Sequence, residues 1–259
     1  MNPFITIAQR AARKAGQIIA KGFERRETLK IASKEANDFV TDIDQQAERT
    51  IVEILTQAYP DHGILAEEGS EKSGNDYLWI IDPLDGTTNF IRGIPHFAVS
   101  IALQHKGRIE HGLIFDPVKN DLFYSSRGAG CVYNDKRCRA SSLKNLDEAL
   151  LATGLRLNDK TRQQAMAALN RVLPACSDIR RSGSAALDLA YTASGLYDGF
   201  WEFGLNIWDI AAGCLMVQES GAMVSSTSGA PDQLETGNVL AANVKLFKQL
   251  LPLVHSGNP

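Results

Sequence analysis

Several features are scarce in this chain of 259 residues. No apolar run comes near the ~18 residues that a membrane-spanning helix needs, which argues against an integral membrane protein. Cysteine is limited to Cys131, Cys138, Cys176 and Cys214. With no CxxC pair and no histidine at zinc spacing, these read as scattered reduced thiols of a cytoplasmic protein, not a disulfide scaffold or a zinc site. Charge of one sign is also lacking: 27 basic and 30 acidic side chains leave a formal charge of -3. General nucleic-acid binding rests on a surplus of Lys and Arg, so it is not expected here. There is neither a GxxxxGK[ST] loop nor a GxGxxG turn, which removes the cradles of nucleoside triphosphatases and dinucleotide enzymes. What remains, 44% hydrophobic and 22% charged residues without repeats, is ordinary globular composition. A chain of this length buries roughly 70–75% of its extended surface, enough for a core without staples.

The elements can be placed from periodicity. Asn2-Pro3 reads as a cap followed by proline at the first helical position, and the spacing of Phe4, Ile7, Ala8, Ala11, Ala15, Ile18 and Ile19 predicts a helix to about Phe23. Its lack of acidic residues before Glu24 would also suit a transit peptide, but the apolar stripe favours a structural helix. Residues 24–40 read as a loop or weak hairpin, and a second helix is expected from Asp42 to Ala58, closed by Tyr59-Pro60. Tyr77–Asp82 is a buried strand, and 97–126 hold three strands of an antiparallel meander. Beyond Ser141 strands and helices alternate: strands near 150–153, 178–180 and 198–203, helices at 161–173, 184–194 and 209–220, and a last helix from Asn243. A boundary near residue 140 would divide an N-terminal α+β domain, 1–140, from a C-terminal α/β domain, 141–259.

Chemistry concentrates in acidic segments. In Trp79-Ile80-Ile81-Asp82-Pro83-Leu84-Asp85-Gly86-Thr87-Thr88-Asn89-Phe90, Asp82 ends a strand and Pro83 turns the chain, so Asp82 and Asp85 can converge at a sheet edge. Two close carboxylates need cations, and oxygen ligands suit Mg²⁺. Gly86 permits close backbone approach, and Thr87-Thr88-Asn89 could open a helix whose N–H groups hold phosphate. Read alone, the segment also describes a surface turn. Glu67-Glu68-Gly69, after the run Gly63–Ala66, also describes a solvated turn, and Asp209, after Trp208, also describes a helix cap.

Taken together and in this order, EEG at 67–69, DPLDGTTNF at 82–90 and WDIAAG at 208–213 resemble the three signatures of the inositol monophosphatase family. The stretch from Gly183 to Asp209, the flank PHFAVSIA and the N-terminal AARKAG are similar to its bacterial, SuhB-type members. The resemblance implies an α/β (α+β) fold, a layered αβαβα sandwich with mixed and antiparallel sheets, a homodimer and inhibition by lithium. It implies two or three Mg²⁺ ions per site, the first held by Glu67, Asp82 and the carbonyl of Leu84, the second by Asp82, Asp85 and Asp209. Water on the first ion, oriented by Glu67 and by Thr87 backed by Asp44, would attack phosphorus in line with no phosphoenzyme. The N–H groups of Gly86 and Thr87 would hold phosphate oxygens. Gly183, Ser184, Ala185, Glu202, Asp209 and Arg180 would meet the polyol, and Lys34 could stand on a loop beside the site. Asn206 stands where some members have His, and Thr88-Asn89-Phe90 favours the inositol branch over nucleotide bisphosphatases, whose motif continues Lys-Glu-Phe.

The expected activity is therefore hydrolysis of inositol 1-phosphate or a related polyol monophosphate. The rivals are fructose 1,6-bisphosphate or 3′-phosphoadenosine nucleotides as substrates, or a transcription-associated binding protein. That last role follows from the bacterial relatives' ties to transcription antitermination and ribosomal RNA synthesis, with RNA polymerase or elongation factors as partners.

Overall fold

The computed structural model describes residues 2–25, 31–35, 38–155 and 159–255, with 31–35, 38–41 and 159–160 described through their backbone alone. Helix α1 (Pro3–Glu24) starts where Asn2 Oδ1 accepts the Phe4 N–H at 2.9 Å. Its stripe Ile5, Ala8, Ala12, Ala15 and Ile19 is buried. The segment that follows is a hairpin, β1 (Ile31–Glu35) paired antiparallel with β2 (Asp38–Thr41). Lys34 lies on β1, a strand and not a loop. Helix α2 (Asp42–Ala58) buries Ala47, Ile51 and Leu55, and also Asp44 and Glu48. These two acids are four residues apart and share one helix face.

An eight-stranded sheet comes next, built from β3 (Gly63–Ala66), β4 (Glu71–Lys72), β5 (Tyr77–Asp85), β6 (Ala98–His105), β7 (Arg108–Asp116), β8 (Asp121–Ser126), β9 (Gly130–Tyr133) and β10 (Lys136–Cys138). Its order is β10-β9-β8-β7-β6-β5-β3-β4. Every neighbouring pair is antiparallel except β3 and β5. The short helix α3 (Thr87–Arg92) interrupts the chain between β5 and β6.

The five-stranded sheet holds β11 (Leu150–Thr153), β12 (Asp178–Arg180), β13 (Gly199–Glu202), β14 (Met223–Ser225) and β15 (Val239–Ala242) in the order β12-β11-β13-β15-β14. Helices α4 (Asp159–Val172), α5 (Ala185–Ala193), α6 (Ile207–Glu219), α7 (Gln233–Thr236) and α8 (Val244–Val254) complete the chain.

The layers follow from the two-residue alternation of side chains along each strand. Ile81, Val99, Ile101 and Leu113 face α1 and α2, while Ile80, Ala98, Ala102 and Ile114 face α5 and α6. Phe200 and Ala241 meet the other side of α5 and α6, whereas Leu151, Trp201 and Leu240 turn outward to α4 and α8. The result is an αβαβα sandwich. Helix α6 lies in the middle layer, so Ile210 to Val217 are all buried, as a helix apolar around its whole circumference should be. The chain changes sheet between Cys138 and Leu150, yet α5 and α6 pack on both sheets through one continuous core.

Candidate active site

The parallel pairing of β3 with β5 sets Ala66 against Ile81. The next residues, Glu67 and Asp82, therefore leave the sheet side by side, and the Glu67 N–H donates to the Ile81 carbonyl at 3.2 Å. Between Asp82 and Asp85 the register with β6 slips, as expected of a bulge containing Pro83, which has no N–H for the ladder. Asp82 shapes that bulge itself: its Oδ1 accepts the Leu84 N–H at 2.9 Å. Gly86 then takes a left-handed φ of 100° and opens α3. A Cβ at Gly86 would lie 3.1 Å from the His96 carbonyl oxygen and 3.3 Å from that of Gly183.

The second half of the chain supplies the opposite wall. Ser184 caps α5, and Asp85 Oδ2 accepts both the Ser184 hydroxyl at 2.6 Å and the Ala186 N–H at 2.7 Å. Asp85 thus anchors the positive end of α5 to the end of β5. Asp209 sits in the first turn of α6, where its Oδ2 accepts the Asn206 N–H at 2.7 Å. It is both a capping residue and part of the cleft wall.

Glu67, Asp82, Leu84, Asp85, Gly86, Thr87, Gly183, Ser184, Ala185, Glu202 and Asp209 all line this one cleft. Asp44 does not line it but stands behind Thr87, whose hydroxyl lies 3.2 Å from Asp44 Oδ1 and 3.1 Å from the Leu84 carbonyl. Arg180 is not in the cleft; its guanidinium pairs with Asp178 on the exposed strand end, and Arg181 lines the cleft instead. Residues unassigned from sequence also take part. Glu48 receives the Glu68 and Ser70 N–H groups at 2.7 and 2.9 Å, holding the turn that carries Glu67. Asn89 donates to the carbonyls of His96 and Ser182, both at 2.8 Å, tying the two walls together. Asp188, hydrogen-bonded to Ser182, is pushed up to about 8 by burial. Its only sequence signal was an acid one turn into an apolar helix.

Burial first, then the charges of Glu67, Asp85 and Asp209, hold the Asp82 carboxyl well above the usual carboxylate range. Asp82 also lies within hydrogen-bond reach of Glu67. Two carboxylates can be that close only with a proton or a cation to relieve them. Among the described residues no three His, Cys, Asp or Glu side chains form a ready-made metal cage, and Asp82, Asp85 and Asp209 each give one oxygen to the turn or helix end that positions it. In kind, however, the donors fit a hard divalent cation: carboxylate and carbonyl oxygens, with no nitrogen or sulfur among them.

His96, whose carbonyl accepts from Asn89, has a strongly shifted ring. Burial, then the nearby Lys119 ammonium 3.4 Å from Nδ1, lower it from 6.5 to about 4, against a smaller opposing effect of Asp116. A depressed histidine is neutral in the folded chain while the unfolded chain binds the proton. Stability should therefore rise with pH between about 4 and 6.5 and be lost on acidification through that window. Because the ring is partly exposed, the full swing is discounted to ~1–2 kcal/mol. Urea midpoints at pH 7.5 and 4.5 should differ less for His96→Gln than for the unsubstituted chain; equal differences would show that His96 carries none of the slope.

The profile of the inositol monophosphatase family matches residues 1–257. Over 266 aligned residues, covering 100% of this chain and 98% of the relative, the chain is 49% identical to a protein of Pseudomonas aeruginosa named Nus factor SuhB. The crystal structure of the extragenic suppressor protein suhB from Bartonella henselae superposes with a TM-score of 0.96 at 40% identity, covering 99% of this chain and 100% of that one. The structure of an inositol monophosphatase from Anabaena superposes with a TM-score of 0.86 at 34% identity, covering 99% and 96%.

Proposed function

Because the chain belongs to the inositol monophosphatase family, we propose that it hydrolyses inositol 1-phosphate or a closely related polyol monophosphate with the help of Mg²⁺. The observation that carries this reading is the fully buried Asp82 facing three further carboxylates in one cleft. Glu67, Asp82, Asp85, Asp209 and the carbonyl of Leu84 would hold two or three ions. When bound, these neutralise the phosphate oxygens, lower the pKa of water and stabilise the departing alkoxide.

The protein groups do the positioning. Glu67 and the Thr87 hydroxyl, steadied by Asp44, orient the attacking water in line with the scissile bond. The Gly86 and Thr87 N–H groups at the start of α3 face the phosphate oxygens. Ser184 and Glu202, the latter 7% exposed at the end of β13, accept hydrogen bonds from polyol hydroxyls. The test is phosphate release with Mg²⁺ from inositol 1-phosphate, fructose 1,6-bisphosphate and 3′-phosphoadenosine 5′-phosphate. Inositol 1-phosphate should give the largest kcat/KM, and a larger value for either rival would reassign the substrate.

Gly154 offers a sharper test of the polyol side. A Cβ there would fall 2.1 Å from the carboxyl atoms of Glu202, so Gly154→Ala must push that carboxylate aside. KM should rise about tenfold or more with little loss of stability, because a side-chain end can move where backbone cannot. An unchanged KM would remove Glu202 from the binding site.

The name of the Pseudomonas relative favours a second role, in transcription. In that role the chain would bind RNA polymerase or elongation factors without using its chemistry. Asp209→Asn should abolish phosphate release yet leave such a complex intact in a pull-down; loss of both together would tie the complex to the cleft.

A further inference from the structure

Away from the cleft, the outer edge of the eight-stranded sheet sets two thiols face to face. Strands β9 and β10 are joined by Asn134-Asp135, both left-handed with φ of 46° and 63°, in a two-residue loop of the kind whose twist matches its flanking strands. The loop fixes the register Tyr133↔Lys136, Val132↔Arg137 and Cys131↔Cys138. Facing residues in an antiparallel pair point to the same side, with Cα atoms about 4.5 or 5.5 Å apart. Both spacings fall within the about 4.4–6.8 Å that disulfides span. The sulfurs are within hydrogen-bond reach of each other, and both are free thiols. We propose that Cys131 and Cys138 are an oxidisable dithiol, a modification site at which a peroxide closes a disulfide across the β9–β10 hairpin.

The two thiols are unequal in a way that suits this chemistry. Cys131 is fully buried, whereas Cys138 is only partly covered. The hydrogen bond between them lowers the pKa of Cys138 and raises that of Cys131, so Cys138 is the sulfur that reacts first. Its thiolate attacks one peroxide oxygen, the O–O bond breaks and hydroxide leaves, giving a sulfenic acid at Cys138. The Cys131 sulfur then attacks that sulfur. Its proton and the sulfenic hydroxyl depart as water, and the S–S bond forms. Two thiols are oxidised and one hydrogen peroxide is reduced to two waters.

The remaining cysteines are poor competitors. Burial in α6 pushes Cys214 up to about 12, while burial and then Asp178 raise Cys176. The hairpin itself is held to the far end of α6, where Glu219 accepts the Gly128 and Gly130 N–H groups at 2.8 and 2.9 Å. A cross-link there would lock the two strands of the hairpin that leans on the far end of α6.

The test is a thiol count after denaturation, on the full chain with and without hydrogen peroxide, followed by peptide mapping. The four thiols should fall to two, with Cys131 and Cys138 joined within one chain and dithiothreitol restoring the count. Cys176→Ser should still lose two thiols, and Cys138→Ser should lose none while melting as the reduced parent does. An unchanged count, a sulfinic or sulfonic Cys138 without a link, or a bond between two chains would overturn the proposal. Should Cys138→Ser fail to fold, the mapped product of the unsubstituted chain decides alone.

Discussion

Asp85→Asn should lower kcat/KM for phosphate release from inositol 1-phosphate at least ~10³-fold, about 4 kcal/mol of transition-state stabilisation, while the chain stays folded. The two parts of this expectation have separate causes. An asparagine Oδ1 can still accept the Ser184 hydroxyl and the Ala186 N–H, so the joint between β5 and α5 survives. What is lost is a full negative charge in the donor set proposed to hold the ions. Steady-state kinetics at saturating Mg²⁺ and a urea melt distinguish them. A variant with near-parental kcat/KM would take Asp85 out of the catalytic machinery, and one that unfolds would make its role structural.

Gly86→Ala should destabilise the chain by ~2–3 kcal/mol and slow phosphate release ~10²-fold. An alanine at φ 100° carries backbone strain on the order of 1–3 kcal/mol. Its Cβ would also press on the His96 carbonyl and Phe97 Cβ, each at 3.1 Å. The shift would pass to Asp85 and Thr87 on either side, and displacements near 1 Å at a reacting centre cost about that much rate. Gly69 provides the control, since it has nearly the same φ of 101° but nothing within 4 Å of a Cβ. Gly69→Ala should show the backbone part of the stability loss alone. If it costs as much as Gly86→Ala, the close approach of the two loops contributes nothing.

The parts of the fold visible in the sequence were those with strong local signals. Helix α2 runs from Asp42 to Ala58 and strand β11 from Leu150 to Thr153, as periodicity and the Tyr59-Pro60 stop suggested. Strands β4, β9, β10, β14 and β15 were not anticipated. They have only two to four residues, and their ladders are completed by neighbouring strands.

The cleft divides in the same way. Turn chemistry marked Asp82, Asp85 and Gly86, but the choice between Arg180 and Arg181 depends on how β12 registers beside β11, with Arg180 opposite Ala152. No local pattern encodes that pairing. Glu48 resembled any acid on an amphipathic helix; only the fold brings the Glu68 and Ser70 amides to it. Gly154 carried no signal because its purpose is the space that Glu202 fills.

The most direct test is reversible chelation. Phosphate release from inositol 1-phosphate is followed in Mg²⁺, then with excess EDTA, then with Mg²⁺ restored. The rate should fall to background with the chelator and recover in full when the ion returns. A chain that keeps its rate in EDTA would show that Glu67, Asp82, Asp85 and Asp209 do not work through a divalent cation.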